Sequence, residues 1–376
     1  MSAAGEFRFA EHTTVGVGGA AAEAQIIEST DDLTRALDAH VHVSDELLVV
    51  GGGSNLVVAD EGFDGTVLVM RNRGLHAVHA EDGSVLLHVA AGEPWDDLVA
   101  HTVAQGWGGI ESLSGIPGRA GAAVIQNIGA YGHDLAETLV SVDIVDVVTA
   151  KPATLAAAVL GLGYRTSAFK RGELEAVVTG ITLRLSADGQ SAPVQYAQLA
   201  EALGVPAGDR APVAEVRETV LRLRRGKGMV YDPSDVDTHG CGSFFTNPVV
   251  HERFAAALPA DAPRWPVDVS RAETPATAIP LEQYHGDELQ PAAQRQPALV
   301  KLSAGWLIEH AGVPKGFALP GSRAAVSSKH TLAITNRGGA SAREIIELAG
   351  FIQTRVANEF GVALQPEPNL VGFVEN

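Results

Sequence analysis

The 376-residue sequence has little cysteine, few aromatic residues and a shortage of positive charge. Its single cysteine, Cys241, excludes an internal disulfide and a cysteine-based metal cluster, and is typical of a protein from a reducing compartment. The 27 lysines and arginines stand against 45 aspartates and glutamates, which gives a net charge of −18. This balance argues against nucleic acid or an anionic membrane as a partner. If the ligand is an anion, the chain must gather cations locally against its own field.

Long hydrophobic runs are also missing. No stretch of about 18 uncharged apolar residues is present, so no membrane span is predicted. The first 15 residues carry Glu6, Arg8, Glu11 and His12, which argues against a secretory signal peptide. We therefore expect a cytoplasmic protein with no membrane partner. The 46% hydrophobic and 19% charged residues are typical of a globular protein, and the length predicts two or three domains.

Hydrophobic periodicity and capping residues predict an α+β fold in which strands outnumber helices in the first half. Strands are predicted at residues 22–27, 47–50, 65–70, 84–91, 139–148 and 176–185. Helices are predicted to begin at Ser29 or Thr30, at Pro94, Val213 and Ser303, and at the capping box Ser341–Glu344, the last of them ending before Gly361. Residues 256–300 hold seven prolines and no clear period, which predicts an extended, loop-rich insert.

Two glycine-rich segments are the strongest indication of a ligand site. Residues 116–131 hold three glycines and a proline among small apolar residues, with the amides Gln126 and Asn127 between them. We predict that this run is too glycine-rich for a stable helix and that its backbone approaches a cofactor with a pyrophosphate. The segment Gly51–Asn55 directly follows a predicted strand and offers free N–H groups to phosphate oxygens. A glycine-rich core loop and a plain tight turn are the alternatives.

One dinucleotide-binding pattern is rejected. Residues 16–21 match the spacing G-x-G-x-x-A, which requires a strand before the glycines and a helix after them. Here a strand-like segment follows the glycines instead. The sequence therefore predicts no Rossmann site at this position.

Three further segments carry polar groups that could take part in chemistry. Ser243 lies beside Cys241 in Gly240–Pro248, yet no nucleophile elbow or suitably spaced histidine marks either residue as a nucleophile. Residues 164–170 place a phenol and two cations together, which would suit a carboxylate or a phosphate. Glu367 lies between two prolines and is rigidly placed. The structural alternatives are that Ser243 is a turn residue, that the arginine is structural beside a buried tyrosine, and that Glu367 is a solvated tail residue.

Taken together, these segments resemble the family of UDP-N-acetylenolpyruvoylglucosamine reductases (MurB), the flavoenzymes of peptidoglycan precursor synthesis, and in particular its type I members. Eight motifs occur in the family's order and cover nearly the whole chain except about residues 249–298. They are His12–Thr14, Gly51–Asn55, Gly109–Gly118, Gln126–Gly132, Tyr164–Phe169, Gly242–Pro248, Lys301–Ile308 and His330–Asn336.

The resemblance implies non-covalent FAD between two N-terminal subdomains of the PCMH type, which cover about residues 14–186, and NADPH as the reductant. Subdomain 1 is assigned to residues 1–70 and subdomain 2, with a tyrosine-bearing loop, to residues 71–220. A C-terminal α+β substrate-binding domain is assigned to residues 221–376, whose last residues return to the active site. The residues implied to bind FAD are Gly51, Gly52, Gly53, Ser54, Asn55, Ser114, Gly115, Pro117, Gly118, Gly121, Gln126, Asn127, Gly129 and Ala130.

Carried over by position, the resemblance also implies a reaction and three catalytic residues. Flavin N5 would deliver hydride to the small-molecule substrate UDP-N-acetylglucosamine enolpyruvate. Arg165 matches the arginine that contacts the enolpyruvyl carboxylate, Ser243 matches the proton donor, and Glu367 matches the active-site glutamate. The implied substrate contacts are Tyr164, Tyr196, Lys227, Asn247, Lys301 and His330, with Tyr196 matching the loop tyrosine that folds over bound substrate. No metal is implied, and we expect a monomer.

The chain departs from the family pattern in three places. Many relatives have Val-Arg after the glutamate, whereas Pro368 and Asn369 stand here, so the role of that arginine is open. The family lysine upstream of the Gly-Ser-Phe-Phe motif has no clean counterpart, and Lys227 is the candidate. The proline-rich segment 256–300 is longer than usual. Two other functions stay open: another FAD oxidoreductase of the same cofactor fold, and a nucleotide-sugar-binding module without catalysis.

Overall fold

The computed structural model describes residues 6–40, 45–267 and 298–373. Its strands are β1 Ala21–Ile27, β2 Glu46–Val50, β3 Leu56–Val58, β4 Phe63–Met70, β5 Leu75–His79, β6 Ser84–Ala90, β7 Gly129–Ala130, β8 His133–Asp134, β9 Leu139–Asp146, β10 Pro152–Ala156, β11 Ala176–Ser186, β12 Val249–His251, β13 Arg264–Val267, β14 Leu299–Leu302, β15 Ala324–Val326, β16 Ile334–Asn336 and β17 Asn369–Val371. Its helices are α1 Phe9–His12, α2 Thr30–His40, α3 Trp95–Ala104, α4 Ala120–Ile125, α5 Ala197–Leu203, α6 Val213–Gly226, α7 Glu252–Ala255, α8 Ala304–His310 and α9 Ala342–Phe360. This mixture confirms the α+β class, and every strand and helix named from the sequence is present.

A three-stranded parallel sheet with the order β1–β4–β2 forms the N-terminal part. Helix α2 connects β1 to β2 and buries Leu33 and Leu37 in a cluster that includes Leu68 of β4. The Ser29 hydroxyl accepts a hydrogen bond from the Asp32 amide (3.1 Å), which fixes the start of α2. Strand β2 ends at the buried Val50, so the glycine segment that follows it leaves from the carboxyl end of a parallel strand.

A five-stranded antiparallel sheet with the order β10–β9–β11–β6–β5 follows. Its central strand β11 is buried along nearly its whole length, whereas β6 alternates and turns Val85, Leu87 and Val89 inward. These residues share a core with Trp95 of α3 and Val124 of α4. The sheet therefore provides the rigid support on which α4 rests.

Helix α4 corrects one prediction. The run 116–131 was expected to be too glycine-rich for a helix, yet residues Ala120–Ile125 are helical. Of the three glycines in the run 116–131, only Gly121 lies inside the helix, and its neighbours there are alanines. A Cβ on Gly121 would lie 2.6 Å from the Cβ of Ala91, so this glycine lets α4 approach the sheet closely. The remaining glycines flank the helix, as the prediction of an irregular segment requires.

The C-terminal part contains an antiparallel sheet with the order β12–β14–β13, the hairpin β15–β16, and helices α8 and α9. Strands β13 and β14 correct the prediction of a loop-rich insert at its two ends, because Arg264 pairs with Leu302 and Val267 with Leu299. Pro266 is tolerated because β13 is an edge strand. The middle of the proline-rich segment, residues 268–297, lies outside the described residues.

Several contacts join the C-terminal part to the N-terminal sheet region, and two of them involve a whole strand or helix. Strand β17 pairs in parallel with β3, and Asn369 is opposite Leu56. The exposed carboxylate of Asp60 accepts hydrogen bonds from the first two amides of α9, those of Ala342 (2.7 Å) and Arg343 (3.1 Å). A carboxylate at this position also interacts favourably with the helix dipole. Strand β17 and the first turn of α9 are therefore fixed against residues 56–60.

The buried residues form clusters that cross the proposed domain boundaries. Leu68 belongs to the same core as Leu87 and Ile181, so the two N-terminal sheets share apolar packing. Val57 belongs to the C-terminal core around Phe244. A separate small cluster packs α5 against α6. The boundaries at residues 70 and 220 stay a prediction.

We expect Asp60→Ala to lower the free energy of unfolding by about 1 kcal/mol, because the first turn of α9 would lose a shared acceptor and a favourable charge. Equilibrium unfolding in denaturant measures this loss. Asp64→Ala is the matched control. Asp64 is another exposed aspartate, on β4, so its substitution removes the same charge. Equal losses in the two variants would show that surface charge, and not the helix contact, is responsible.

Candidate active site

A cleft of about 430 Å³ opens where the first sheet, α4 and the C-terminal segments meet. Its walls come from the glycine segment after β2, from residues within 116–131, from the end of α6, and from the segments around Ser243 and Glu367. Parts of the chain that lie far apart in sequence therefore share one concave surface. Small ligands usually bind in concave surfaces of this kind.

The two glycine-rich segments touch each other in the wall of this cleft. A Cβ on Gly52 would lie 2.7 Å from the Cα of Gly118, a distance that real side chains do not reach. Gly53 has φ +61°, and a Cβ there would lie 2.0 Å from the His12 carbonyl oxygen. The Ser54 hydroxyl donates a hydrogen bond to the Pro117 carbonyl (3.1 Å) and holds the segments together. Glycine is required here for close backbone approach.

The backbone of Glu367 is held between two other parts of the chain. Its amide donates to the Phe244 carbonyl (2.9 Å), directly after an antiparallel bridge between Phe245 and Pro366. Its carbonyl accepts from the Asn55 side chain (3.2 Å). Ser243, the residue before Phe244, lines the same cleft, and the buried rings of Phe244 and Phe245 fix this segment. The two catalytic candidates Ser243 and Glu367 therefore lie on adjoining segments.

The side chain of Glu367 is mostly buried and shared by two donors. Gln126 Nε2 donates to its Oε1 (2.6 Å), and Arg165 Nε lies 3.2 Å from the same oxygen. Lys170 Nζ donates to the Glu367 backbone carbonyl (3.4 Å), and Asn55 donates to Gln126 Oε1 (2.6 Å). These charge-assisted contacts fix the carboxylate at the edge of the cleft.

Arg165 is held by its backbone and by its guanidinium group. Its φ of +55° is in the left-handed region, which a non-glycine residue adopts only when its surroundings hold it there. The guanidinium donates to the carbonyls of Asn127 (3.2 Å) and Gly129, so the side chain is fixed beside the cleft. A rigid arginine with donors directed at one place is suited to a carboxylate ligand.

The cleft is cationic although the chain is acidic. Arg119, Arg165, Arg224 and Lys227 line it, and Glu367 is the carboxylate among the described lining residues. Burial lowers the pKa of Arg224 to about 10, which still leaves it charged at neutral pH. Its Nε is buried and has no hydrogen-bond partner within the described part of the chain. An anion bound nearby would compensate this buried charge.

Two other predicted substrate contacts line the cleft beside these cations. Burial and the charges of Lys227 and Lys315 lower the pKa of His330 to about 4, so this imidazole is neutral at physiological pH. Its Nδ1 accepts a hydrogen bond from the Leu332 amide (3.1 Å), which leaves Nε2 as the donor. The ring of Tyr196 meets the ring of Tyr131 edge-on, with centroids 5.6 Å apart.

The structure brings most of the predicted residues to the cleft and leaves the others out of its lining. The lining includes Gly51, Gly52, Gly53, Ser54, Asn55, Pro117, Gly118, Gln126, Gly129, Ala130, Arg165, Tyr196, Lys227, Ser243, His330 and Glu367. Ser114, Gly115, Gly121, Asn127, Tyr164, Asn247 and Lys301 do not line it.

The predicted residues outside the lining have other contacts. Ser114 is buried and donates to the Glu111 carbonyl (2.6 Å), and Asn127 is buried and donates to the Gly163 carbonyl (2.9 Å). The Tyr164 ring lies beside Arg165 and below Lys301 Nζ, which is 5.1 Å from the ring centre. Tyr164 therefore lies between two cations, Arg165 of the cleft lining and Lys301 outside it.

Several lining residues were not identified from the sequence. They include Arg119, Tyr131, Arg224, Met229 and Asn369. A signal for Arg224 was present, because it lies three residues before Lys227 at the end of α6 and so on the same side of the helix end. Asn369 occupies the wall at the position where the expected arginine is missing.

A larger cavity of about 580 Å³ lies on the five-stranded sheet, lined by His76, His88 and Asp143 among others. It contains none of the predicted site residues, so the smaller cleft is the candidate active site. Within the described ranges, no group of three or more His, Cys, Asp or Glu side chains could hold a metal ion. None of the helices described combines the length and apolar character needed to cross a lipid bilayer.

Models of two protein families match parts of this chain. Residues 21–150 match the FAD binding domain, and residues 232–371 match the C-terminal domain of UDP-N-acetylenolpyruvoylglucosamine reductase. The first match contains the glycine segments and α4, and the second contains Ser243 and Glu367. Arg165, Tyr196 and the end of α6, which also line the cleft, lie between the two matches.

Relatives cover nearly the whole chain. A UDP-N-acetylenolpyruvoylglucosamine reductase from Leifsonia xyli subsp. xyli is 51% identical over 369 residues, which cover 96% of this chain and 97% of that protein. One from Saccharopolyspora erythraea is 48% identical over 370 residues, with coverage of 98% and 96%. The crystal structure of UDP-N-acetylenolpyruvylglucosamine reductase from Thermus caldophilus superposes with a TM-score of 0.62 at 23% identity and covers 98% of both chains, which supports the same fold.

Cys241 should be chemically inert in the folded protein. Burial raises the pKa of its thiol to about 12, and its Sγ lies 3.6 Å from the Leu56 carbonyl oxygen. Because the thiolate is the reactive form, we expect iodoacetamide to leave the native protein unmodified at neutral pH and to alkylate it fully after unfolding. Intact-mass spectrometry reads both states. Rapid alkylation of the native protein would contradict this placement.

Proposed function

The chain belongs to the family of UDP-N-acetylenolpyruvoylglucosamine reductases, and on this premise we propose how its cleft works. The chain is an FAD-dependent oxidoreductase that reduces UDP-N-acetylglucosamine enolpyruvate to UDP-N-acetylmuramate in peptidoglycan precursor synthesis, with NADPH as the proposed reductant. The observation that carries the residue assignment is the meeting of Arg165, Ser243 and Glu367 at one cleft beside the glycine segments. Fold alone does not assign chemistry, so the assignment rests on these side chains.

The glycine segments fit a flat, anionic cofactor. Gly52 leaves no room for a Cβ against the backbone of Gly118, and the backbone amides of Gly51–Asn55 can reach phosphate oxygens without steric hindrance. Together with Gln126 and Ala130, these segments would hold the FAD that the matched domain implies. Bound FAD supplies the hydride that the methylene carbon of the enolpyruvyl group accepts.

The cationic lining fits the two anionic groups of the substrate. Arg165 would hold the enolpyruvyl carboxylate through charge-assisted hydrogen bonds. Arg224 and Lys227, at the end of α6, would attract the diphosphate. Tyr196 would cover the bound nucleotide sugar, as in the type I members that the sequence resembles.

Arg165 and Glu367 have complementary tasks. When the methylene carbon gains a hydride, negative charge develops on the neighbouring carbon and spreads into the carboxylate. Arg165 stabilises this charge at the moment it forms. A bare carboxylate would oppose it, but the Glu367 oxygen is shared by Gln126 and Arg165, so its main effect is to orient the guanidinium.

Ser243 completes the reaction by donating its hydroxyl proton to the carbon that carries the negative charge. A serine hydroxyl is a weak acid, but the carbanion is a far stronger base, so the transfer is downhill. A neutral donor also does not compete with the substrate carbon for the hydride. We further propose that the protein is a cytoplasmic monomer, in keeping with its nucleotide-linked substrate and its single cysteine.

Gly52→Ala tests the cofactor cradle. The added methyl group meets the backbone of Gly118 and must push the two glycine segments apart, so we expect a clear loss of bound FAD. The ratio of flavin absorbance to protein absorbance in the purified protein measures occupancy. Gly350→Ala is the control: Gly350 lies inside α9 with nothing within 4 Å of its added Cβ, so FAD content should remain unchanged. Full occupancy in Gly52→Ala would refute the cradle.

Ser243→Ala tests the proton donor. We expect substrate turnover to fall by about 10²–10⁴, the usual effect of losing a positioned proton donor. Reduction of the flavin by NADPH, followed as loss of flavin absorbance without substrate, should be spared because no carbon is protonated in that step. Equal loss in both half-reactions would remove Ser243 from this role. A wild-type protein that binds FAD yet leaves UDP-N-acetylglucosamine enolpyruvate unreduced would refute the proposed function.

A further inference from the structure

The loop that carries Tyr196 is anchored at its base by two buried ionisable side chains. Glu111 Oε1 accepts a hydrogen bond from the Ala192 amide (2.9 Å). His133 Nε2 lies 3.0 Å from the Pro193 carbonyl oxygen. Both side chains are buried and belong to the cofactor-binding half of the chain. Two consecutive residues, three and four positions before Tyr196, are thus hydrogen-bonded to buried side chains of the cofactor-binding half.

The surroundings of His133 require a proton on both ring nitrogens. Nδ1 lies 2.7 Å from the Glu137 carboxylate, and Nε2 faces the Pro193 carbonyl oxygen, so both partners are acceptors. A neutral imidazole carries only one N–H and would place a lone pair against one of these oxygens. The Glu137 side chain is half-exposed, which favours its ionised form. The geometry therefore selects the imidazolium.

The charges that face His133 act in the same direction. The hydrogen bond and charge of Glu137 raise the pKa of His133 above its ordinary value of 6.5 and outweigh burial. Glu111, which begins the 3₁₀ turn Glu111–Leu113 and is hydrogen-bonded to the loop, raises the pKa further. Asp134 is adjacent in sequence, and burial together with Glu137 raises its own pKa. Below the raised pKa of His133 the ring is charged, and above it the ring is neutral.

The anchored residues are linked to the cleft through Tyr131 and Gly132. The Tyr131 ring packs edge-on against Tyr196, and the backbone of Gly132 lies against the Tyr196 amide, 3.7 Å from the position of an added Cβ. His133 is the next residue. A change at the His133–Pro193 contact therefore acts on both sides of the Tyr131–Tyr196 pair.

We propose that His133 is a positioning residue: as an imidazolium it clamps the loop from Pro193 to Tyr196 where the tyrosine lines the cleft, and deprotonation releases that loop. The inference rests on the proposed function, in which Tyr196 contacts the nucleotide sugar. Because His133 gains its partners on folding and is more basic in the folded state, the clamp is complete below about pH 6.5 and is lost as the pH rises through the raised pKa. Loss of the clamp weakens substrate binding more than it slows chemistry.

Steady-state kinetics of the FAD-loaded protein test the clamp, with UDP-N-acetylglucosamine enolpyruvate varied at saturating NADPH. In the wild type we expect KM to rise about tenfold with increasing pH, as one charge-assisted hydrogen bond is lost, while kcat changes less. Glu137→Gln removes the partner that raises the pKa, so its KM should begin to rise at lower pH. His133→Gln cannot titrate, and its KM should be high and independent of this transition.

Glu347→Gln is the matched control, because Glu347 is a half-exposed carboxylate paired with Arg343 four residues away on α9. Its KM profile should follow that of the wild type. A shift of the profile in Glu347→Gln equal to that in Glu137→Gln would assign the effect to net charge and overturn the clamp.

Proton NMR of the histidine ring reads the protonation of His133 without turnover, and the signal is assigned by its loss in His133→Gln. We expect a midpoint above 6.5 in the wild type and a lower one in Glu137→Gln. A wild-type midpoint at or below 6.5, or a KM profile that does not move in Glu137→Gln while the enzyme turns over, would show the inference to be wrong. Absence of turnover in the wild type would count against the proposed function instead, and the NMR titration would still decide the protonation state.

Discussion

The carboxylate of Glu367 is the point at which distant parts of the chain meet. It accepts from Gln126 and pairs with Arg165 of the cofactor-binding half, while its backbone is hydrogen-bonded to Phe244 of the C-terminal part. The cleft exists only where these segments come together. Its geometry therefore depends less on any one core than on the hydrogen bonds that hold this residue, since partly buried charged contacts are both directional and costly to leave incomplete.

The charge distribution also favours this cleft as the ligand site. A chain with a net charge of −18 keeps Arg119, Arg165, Arg224 and Lys227 around one cavity, so an anion finds there a local field opposite to that of the rest of the surface. Burying Arg224 costs stability, since its Nε has no hydrogen-bond partner among the described residues. An anionic ligand offsets that cost. Part of the free energy of anion binding thus comes from offsetting the cost of the buried Arg224.

Much of the fold follows from local sequence patterns, because strands such as β11 and helices such as α9 have strong periodicity and clear caps. Local patterns failed where the deciding contact is tertiary. Helix α4 packs Gly121 closely against Ala91, and β13 pairs with β14. Neither neighbour is visible in the segment itself.

The same distinction applies to the site. Ser243 and Glu367 could be proposed only by resemblance, because neither carries a catalytic spacing of its own, whereas Gly51–Asn55 could be proposed from backbone chemistry alone. Arg224 was missed because a basic cluster at a helix end is usually solvated, and only packing shows which arginine turns inward. The unusual backbone of Arg165 likewise has no signature in sequence.

The parallel pairing of β17 with β3 has a consequence for how the molecule is made. Asn369 meets Leu56, about 310 residues earlier in the chain, so β3 leaves the ribosome long before its neighbour has been translated. During that interval its edge is unpaired, and the nascent chain has a nucleotide cradle without Glu367. Premature termination would release a polypeptide that contains both glycine segments and most of the buried core, yet lacks the residue that connects them to Ser243. The catalytic centre stays incomplete until Glu367 and strand β17 have been translated.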